Sequence, residues 1–128
     1  MPTYDYALTD IGKCETTGGL TQYNGWVEYK NGSERNNICV HIAFWGPRQT
    51  KCSGCDEADE GGWGFAPFGD NPPTDTMLEI YVVNCPASGM PAGGQNMDFV
   101  NLTPLSPKWT HQVKGKELCS GITFQSNE

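Results

Sequence analysis

The chain has 128 residues, with 8 basic against 15 acidic side chains and a formal charge of −7. That balance excludes the concentrated positive footprint with which proteins displace counterions from nucleic acid or settle on anionic lipid. Only 37% of residues are apolar, with 16 Gly and 9 Pro, which suits many loops around one modest core. A single disulfide-stabilised domain over residues 1–128 is therefore expected, with no nucleic-acid partner and no membrane insertion.

In chain order, Tyr4–Ile11 reads as a first strand ended by Gly12. Trp26–Lys30 reads as a second, stopped by the turn signal Asn31-Gly32. Ile38–Phe44 is the clearest strand. Ile38, Val40, Ile42 and Phe44 line one face of it, and Cys39, His41 and Ala43 the other. Both faces are largely apolar, which predicts an interior strand. From Gly46 to Pro73 no useful periodicity appears, and so long an irregular stretch in a small domain is either functional or stapled. Met77–Val83 is the second strong strand; Thr74 and Asp75 would suit a helix start, but the β-branched residues toward Val83 oppose one. Met97–Leu102 is a further candidate strand, and Trp109–Val113 and Ile122–Phe124 read as short edges. The fold class expected is a β-rich or α+β single domain, an antiparallel or mixed sheet with long disulfide-stapled loops. An α/β/α sandwich is the alternative.

Six cysteines, Cys14, Cys39, Cys52, Cys55, Cys85 and Cys119, are an even and widely spaced set of the kind found in oxidising compartments. They allow fifteen full pairings. Cys52 and Cys55 stand at the threshold of the irregular middle and could tie it to the sheet. The same spacing would suit half a zinc knuckle completed by His41 or His111, or a redox pair, although the acidic residues that follow would disfavour a stabilised thiolate. Residues Met1–Asp5 show neither the basic start nor the apolar run of a secretion signal. A secreted or extracellular protein whose leader has been removed is expected, with a leaderless fruiting-body or intracellular protein as the alternative. Asn31 and Asn101 lie in N-x-[ST] sequons and are candidate glycosylation sites.

The candidate chemistry concentrates in the middle. Trp63, Phe65 and Phe68 stand among glycines just before Asp70 and Asn71, and Trp45 ends the clearest strand before this region. A sugar ring has an apolar face for an aromatic platform and a hydroxyl rim for Asp and Asn, the mixture of apolar lining and few polar groups that small-ligand sites use. Tyr23 through Trp26 and the Trp109/His111 pair are smaller sets of the same kind. The acidic run Asp56, Glu57, Asp59, Glu60 and the group Asp70, Asn71, Asp75 offer oxygens to calcium but match no shaped calcium loop. No metal or other cofactor is expected. A small ribonuclease would need His41 and His111 to converge with a Glu and an Arg. The guanyl-specific ribonuclease pattern of a histidine flanked by tyrosines is missing around His41, so no catalytic residue is assigned.

The size, the six cysteines, the acidic surface and the Gly-Trp loops together resemble small cysteine-rich fungal proteins, among them the glycan-binding lectins of ink-cap mushrooms. The resemblance implies binding of fucosylated or N-acetylhexosamine-containing glycans on glycoproteins, a role in defence, and an α/β/α-type sandwich. The functional expectation is a lectin-like glycan binder whose residues come from the clustering in the middle of the chain and not from the resemblance: Trp45, Trp63, Phe65, Phe68, Asp70 and Asn71. A secreted effector or toxin acting by protein–protein contact is the alternative.

Overall fold

A computed structural model of the chain describes residues 4–16, 21–43, 49–55, 59–66, 76–85 and 103–128. Its elements are all strands: β1 (Tyr6–Thr16), β2 (Gln22–Glu28), β3 (Cys39–Ala43), β4 (Gln49–Cys52), β5 (Gly62–Phe65), β6 (Met77–Val83), β7 (Trp109–Gln112) and β8 (Glu117–Ser126). Among the described residues there is no helix, so the β-rich expectation holds and the α/β/α alternative does not. No helix of the described residues is long and apolar enough to cross a membrane.

The strands form two four-stranded sheets, ordered β1-β8-β2-β5 and β4-β3-β6-β7. The second is antiparallel throughout. The first is mixed, because β2 runs parallel to β8 while β1 and β5 run antiparallel to their neighbours. Val40, Ile42, Leu78, Ile80, Val82 and Trp109 of one sheet share a single buried cluster with Tyr6, Tyr23, Val27, Trp63, Phe65, Ile122 and Phe124 of the other. The sheets therefore pack face to face over one core.

β3 lies between β4 and β6, as its two apolar faces predict. Its second face, with Cys39, meets Tyr81 and Val83 in a separate small cluster. Three expected strands change. β2 lies upstream of the expected Trp26–Lys30, running from Gln22 to Glu28. β1 does not stop at Gly12 but runs on to Thr16, since Gly12 (φ 73°) faces Gly121 (φ 79°) across the β1–β8 ladder and both adopt the left-handed region that glycine tolerates. The inward positions of β8 slip from Glu117 and Cys119 to Ile122 and Phe124 at this point. Ile122–Phe124 is accordingly not an edge but part of a ten-residue strand between β1 and β2.

The middle of the chain is also less irregular than expected, for it supplies both β4 and β5. These are edge strands, one on each sheet. Three disulfides join Cys14 to Cys119, Cys39 to Cys85 and Cys52 to Cys55. Cys52 and Cys55 thus close a local turn at the end of β4 and do not tie the middle to another strand. Candidate strand Met97–Leu102 lies outside the described residues.

Candidate functional site

Of the expected ligand residues, Trp45, Phe68, Asp70 and Asn71 lie outside the described residues, as do Asp56, Glu57, Asp75 and the sequon residue Asn101. Trp63 and Phe65 are described, and both belong to the core at 3% and 2% exposure. Alternation along β5 explains this. Gly64 separates two aromatic side chains that point the same way, and that way is inward, where Trp63 packs on Phe65 and Phe124 at centroid distances of 5.8 and 6.2 Å. Neither ring offers an open face to a sugar. Asn31 is exposed in its turn, its Oδ1 accepting from Ser33 N at 3.0 Å and from Ser33 Oγ at 2.6 Å.

Phe65 nevertheless borders a surface cleft. Where the edge strands β4 and β5 approach, a hollow of about 230 Å³ is lined by Gln22, Tyr23, Asn24, Lys51, Gly64, Phe65 and Ala66. Gln22 is exposed and Asn24 and Lys51 are half-buried. The Lys51 ammonium lies over the Phe65 ring, 5.7 Å from its centroid, a cation–π contact. Two side-chain amides, each donor and acceptor, and one cation therefore line a hollow beside one buried aromatic ring.

A second constellation sits where β2, β7 and β8 meet. Glu117, 3% exposed, accepts three hydrogen bonds on the single oxygen Oε1: from Tyr23 Oη at 3.1 Å, from Lys114 N at 3.0 Å and from His111 Nε2 at 2.8 Å. A carboxylate only accepts, so convergence on Oε1 makes Nε2 the protonated nitrogen of the ring. Burying a carboxylate is costly without such partners. Burial raises the Tyr23 hydroxyl pKa far above its ordinary value, and the charge of Glu117 and the hydrogen bond to it add to the effect. His111 stacks on Trp109 at 5.0 Å, and Trp109 Nε1 donates to Ile11 O at 2.8 Å. The Cys14–Cys119 disulfide lies alongside, with Cys119 Sγ 3.9 Å from His111 Nε2. Leu8, Ile11, Cys14, Lys108, Thr110 and His111 help line a cleft of about 340 Å³ leading to it.

The ribonuclease arrangement is not formed. His41 pairs across the ladder with Tyr81, and His111 with Leu78. Cross-strand partners share a face, and Leu78 and Tyr81, three apart on one strand, point to opposite faces. Leu78 accordingly lies in the main core and Tyr81 in the second cluster. His41 is wholly buried, with Nδ1 2.7 Å from Thr50 Oγ1. The two histidines cannot close on one phosphate.

The grouping of Cys14, His111, Glu117 and Cys119 has no spacing motif. Its only trace in the sequence is a charged residue, Glu117, two positions before Cys119 on one face of a strand. Comparison with protein-family models, with curated proteins and with solved structures returns no match, so function rests on this chain's own geometry.

Proposed function

We propose that the protein is a non-enzymatic, lectin-like carbohydrate binder that takes a single sugar unit in the cleft between β4 and β5. The observation that carries this reading is the lining itself: Gln22, Asn24 and Lys51 beside Phe65. Amide side chains can give and accept hydrogen bonds at once, which matches the hydroxyl rim of a sugar. The volume, about 230 Å³, is below the roughly 300–1,000 Å³ of sites for drug-sized ligands and suits one ring of a longer glycan. Among the described residues that line it there is no Asp, Glu or His, and the polar groups they offer are amides and one ammonium. Recognition on this reading is polar, and the buried Trp63 and Phe65 support the cleft wall in place of stacking on the ligand.

The test is a glycan array probed with folded protein, followed by Asn24→Ala and Lys51→Ala. Each variant should weaken the selected glycan about tenfold, the equivalent of one lost hydrogen bond of about 1.4 kcal/mol, while melting at the wild-type temperature. Absence of any specific glycan signal, or full binding by both variants, contradicts the proposal.

A further inference from the structure

β1, β7 and β8 bring four side chains of metal-binding type to one point. A sulfur from each of Cys14 and Cys119, a ring nitrogen of His111 and a carboxylate oxygen of Glu117 all lie within 4.8 Å of one another. The geometry points to a zinc site that oxidation closes and reduction opens. In the disulfide form the two sulfurs are bonded to each other and are spent as ligands. A dithiol reductant transfers two electrons and two protons to them, giving two thiols and leaving as its own disulfide. Zinc then displaces both thiol protons to form two zinc–thiolate bonds. It also takes the place of the proton between His111 and Glu117: Nε2 becomes a ligand, and the neutral ring carries its proton on Nδ1 after exchange with solvent.

Three observations support this chemistry. Zinc bonds of about 2.0–2.3 Å in a tetrahedron place ligand atoms roughly 3.3–3.8 Å apart. The Cys119 Sγ to His111 Nε2 separation is 3.9 Å and that from Nε2 to Glu117 Oε1 is 2.8 Å, so the non-sulfur pair opens by about half an ångström. Glu117 would keep its hydrogen bonds from Tyr23 Oη and Lys114 N, the outer contacts that orient a ligand and raise metal affinity. Cys14 is exposed and lines the 340 Å³ cleft with His111, which gives both reductant and metal a path inward. Two cysteines, one histidine and one carboxylate form a closed set of four, the arrangement of a structural site and not of a hydrolytic one.

The experiment uses the Cys52→Ser/Cys55→Ser double variant, which removes the other closely spaced thiol pair. The protein is reduced with a water-soluble phosphine, opening of Cys14–Cys119 is verified by mass spectrometry, and Co2+ is titrated without oxygen. One Co2+ per chain is expected, with a thiolate charge-transfer band and the intense visible bands of a tetrahedral ion, none of which the oxidised protein should show. His111→Ala and Glu117→Gln should each lower the affinity at least tenfold. If reduction unfolds the chain, one equivalent of Zn2+ should restore its β-type circular dichroism, because metal binding then drives folding. Reduced protein that binds no Co2+, binding unaffected by both variants, or an unfolded reduced chain that Zn2+ does not rescue would each overturn the assignment.

Discussion

Tyr23 donates its hydroxyl to Glu117 Oε1 over 3.1 Å, and this bond joins the start of β2 to the start of β8 in a region closed to solvent. It places a buried carboxylate beside the parallel pairing of Tyr23 with Cys119, the junction on which the mixed sheet depends. Tyr23→Phe keeps the ring and its contacts with Trp109 and His111 but deletes one of three donors to Oε1. A loss of about 1–2 kcal/mol is expected in chemical denaturation, with the far-ultraviolet spectrum unchanged.

Alkaline stability follows from the same residue. Burial first, and then Glu117, raises the Tyr23 pKa; burial also raises that of Tyr6, where the nearby Arg35 opposes it. A raised pKa means that the folded chain holds protons which the unfolded chain releases above about pH 10. The stabilisation is complete below that pH and declines as pH rises through and beyond it. Denaturation midpoints should fall between pH 10 and 12, with Tyr23 contributing up to about 1.4 kcal/mol per pH unit. The Tyr23→Phe protein should show a correspondingly shallower decline.

Among the described glycines, Gly25 is the one most intolerant of a side chain. A Cβ there would coincide with the Ile122 carbonyl oxygen, which is backbone and cannot move aside, and would lie 2.8 Å from the Trp63 ring. Gly25→Ala should cost about 3 kcal/mol or more, visible as a large drop in melting temperature. Gly32→Ala, where nothing lies within 4 Å but φ is 90°, tests backbone strain without crowding and should cost about 1–2 kcal/mol.

The disulfides should differ widely in what they stabilise. Cys14 and Cys119 are 105 residues apart, so their bond constrains nearly the whole unfolded chain, whereas Cys52 and Cys55 are 3 apart. Loop-closure entropy predicts about 4–5 kcal/mol lost for Cys14→Ser/Cys119→Ser and about 2 kcal/mol for Cys52→Ser/Cys55→Ser. Urea titration of the two double variants checks the difference.

Much of the fold could be read from local pattern. β6 coincides with the expected Met77–Val83, and β3 and β7 differ from expectation only at their ends. In all three the period-two pattern is unbroken and β-branched or aromatic residues are dense. β8 was legible only in part, since the phase slip at Gly121 hides ten residues of strand behind two short alternations. β5 was illegible because Gly62-Trp63-Gly64-Phe65 looks like loop when half its residues are glycine, and β4 because Gln49-Thr50-Lys51-Cys52 is too short and polar to show apolar alternation. The Trp63 and Phe65 rings stood out by composition, but which side of a strand faces the core is decided by the opposite sheet. The approach of Cys14 to His111 and Glu117 depends on pairing across more than 90 residues, which no local spacing records.

Carbohydrate binding at the β4/β5 cleft is tested most directly by recording amide NMR spectra during titration with a glycan selected on the array. Saturable shifts should centre on Gln22, Asn24, Lys51, Gly64 and Ala66, and should be lost in Lys51→Ala. Shifts confined to another surface, or none at any glycan concentration, would contradict it.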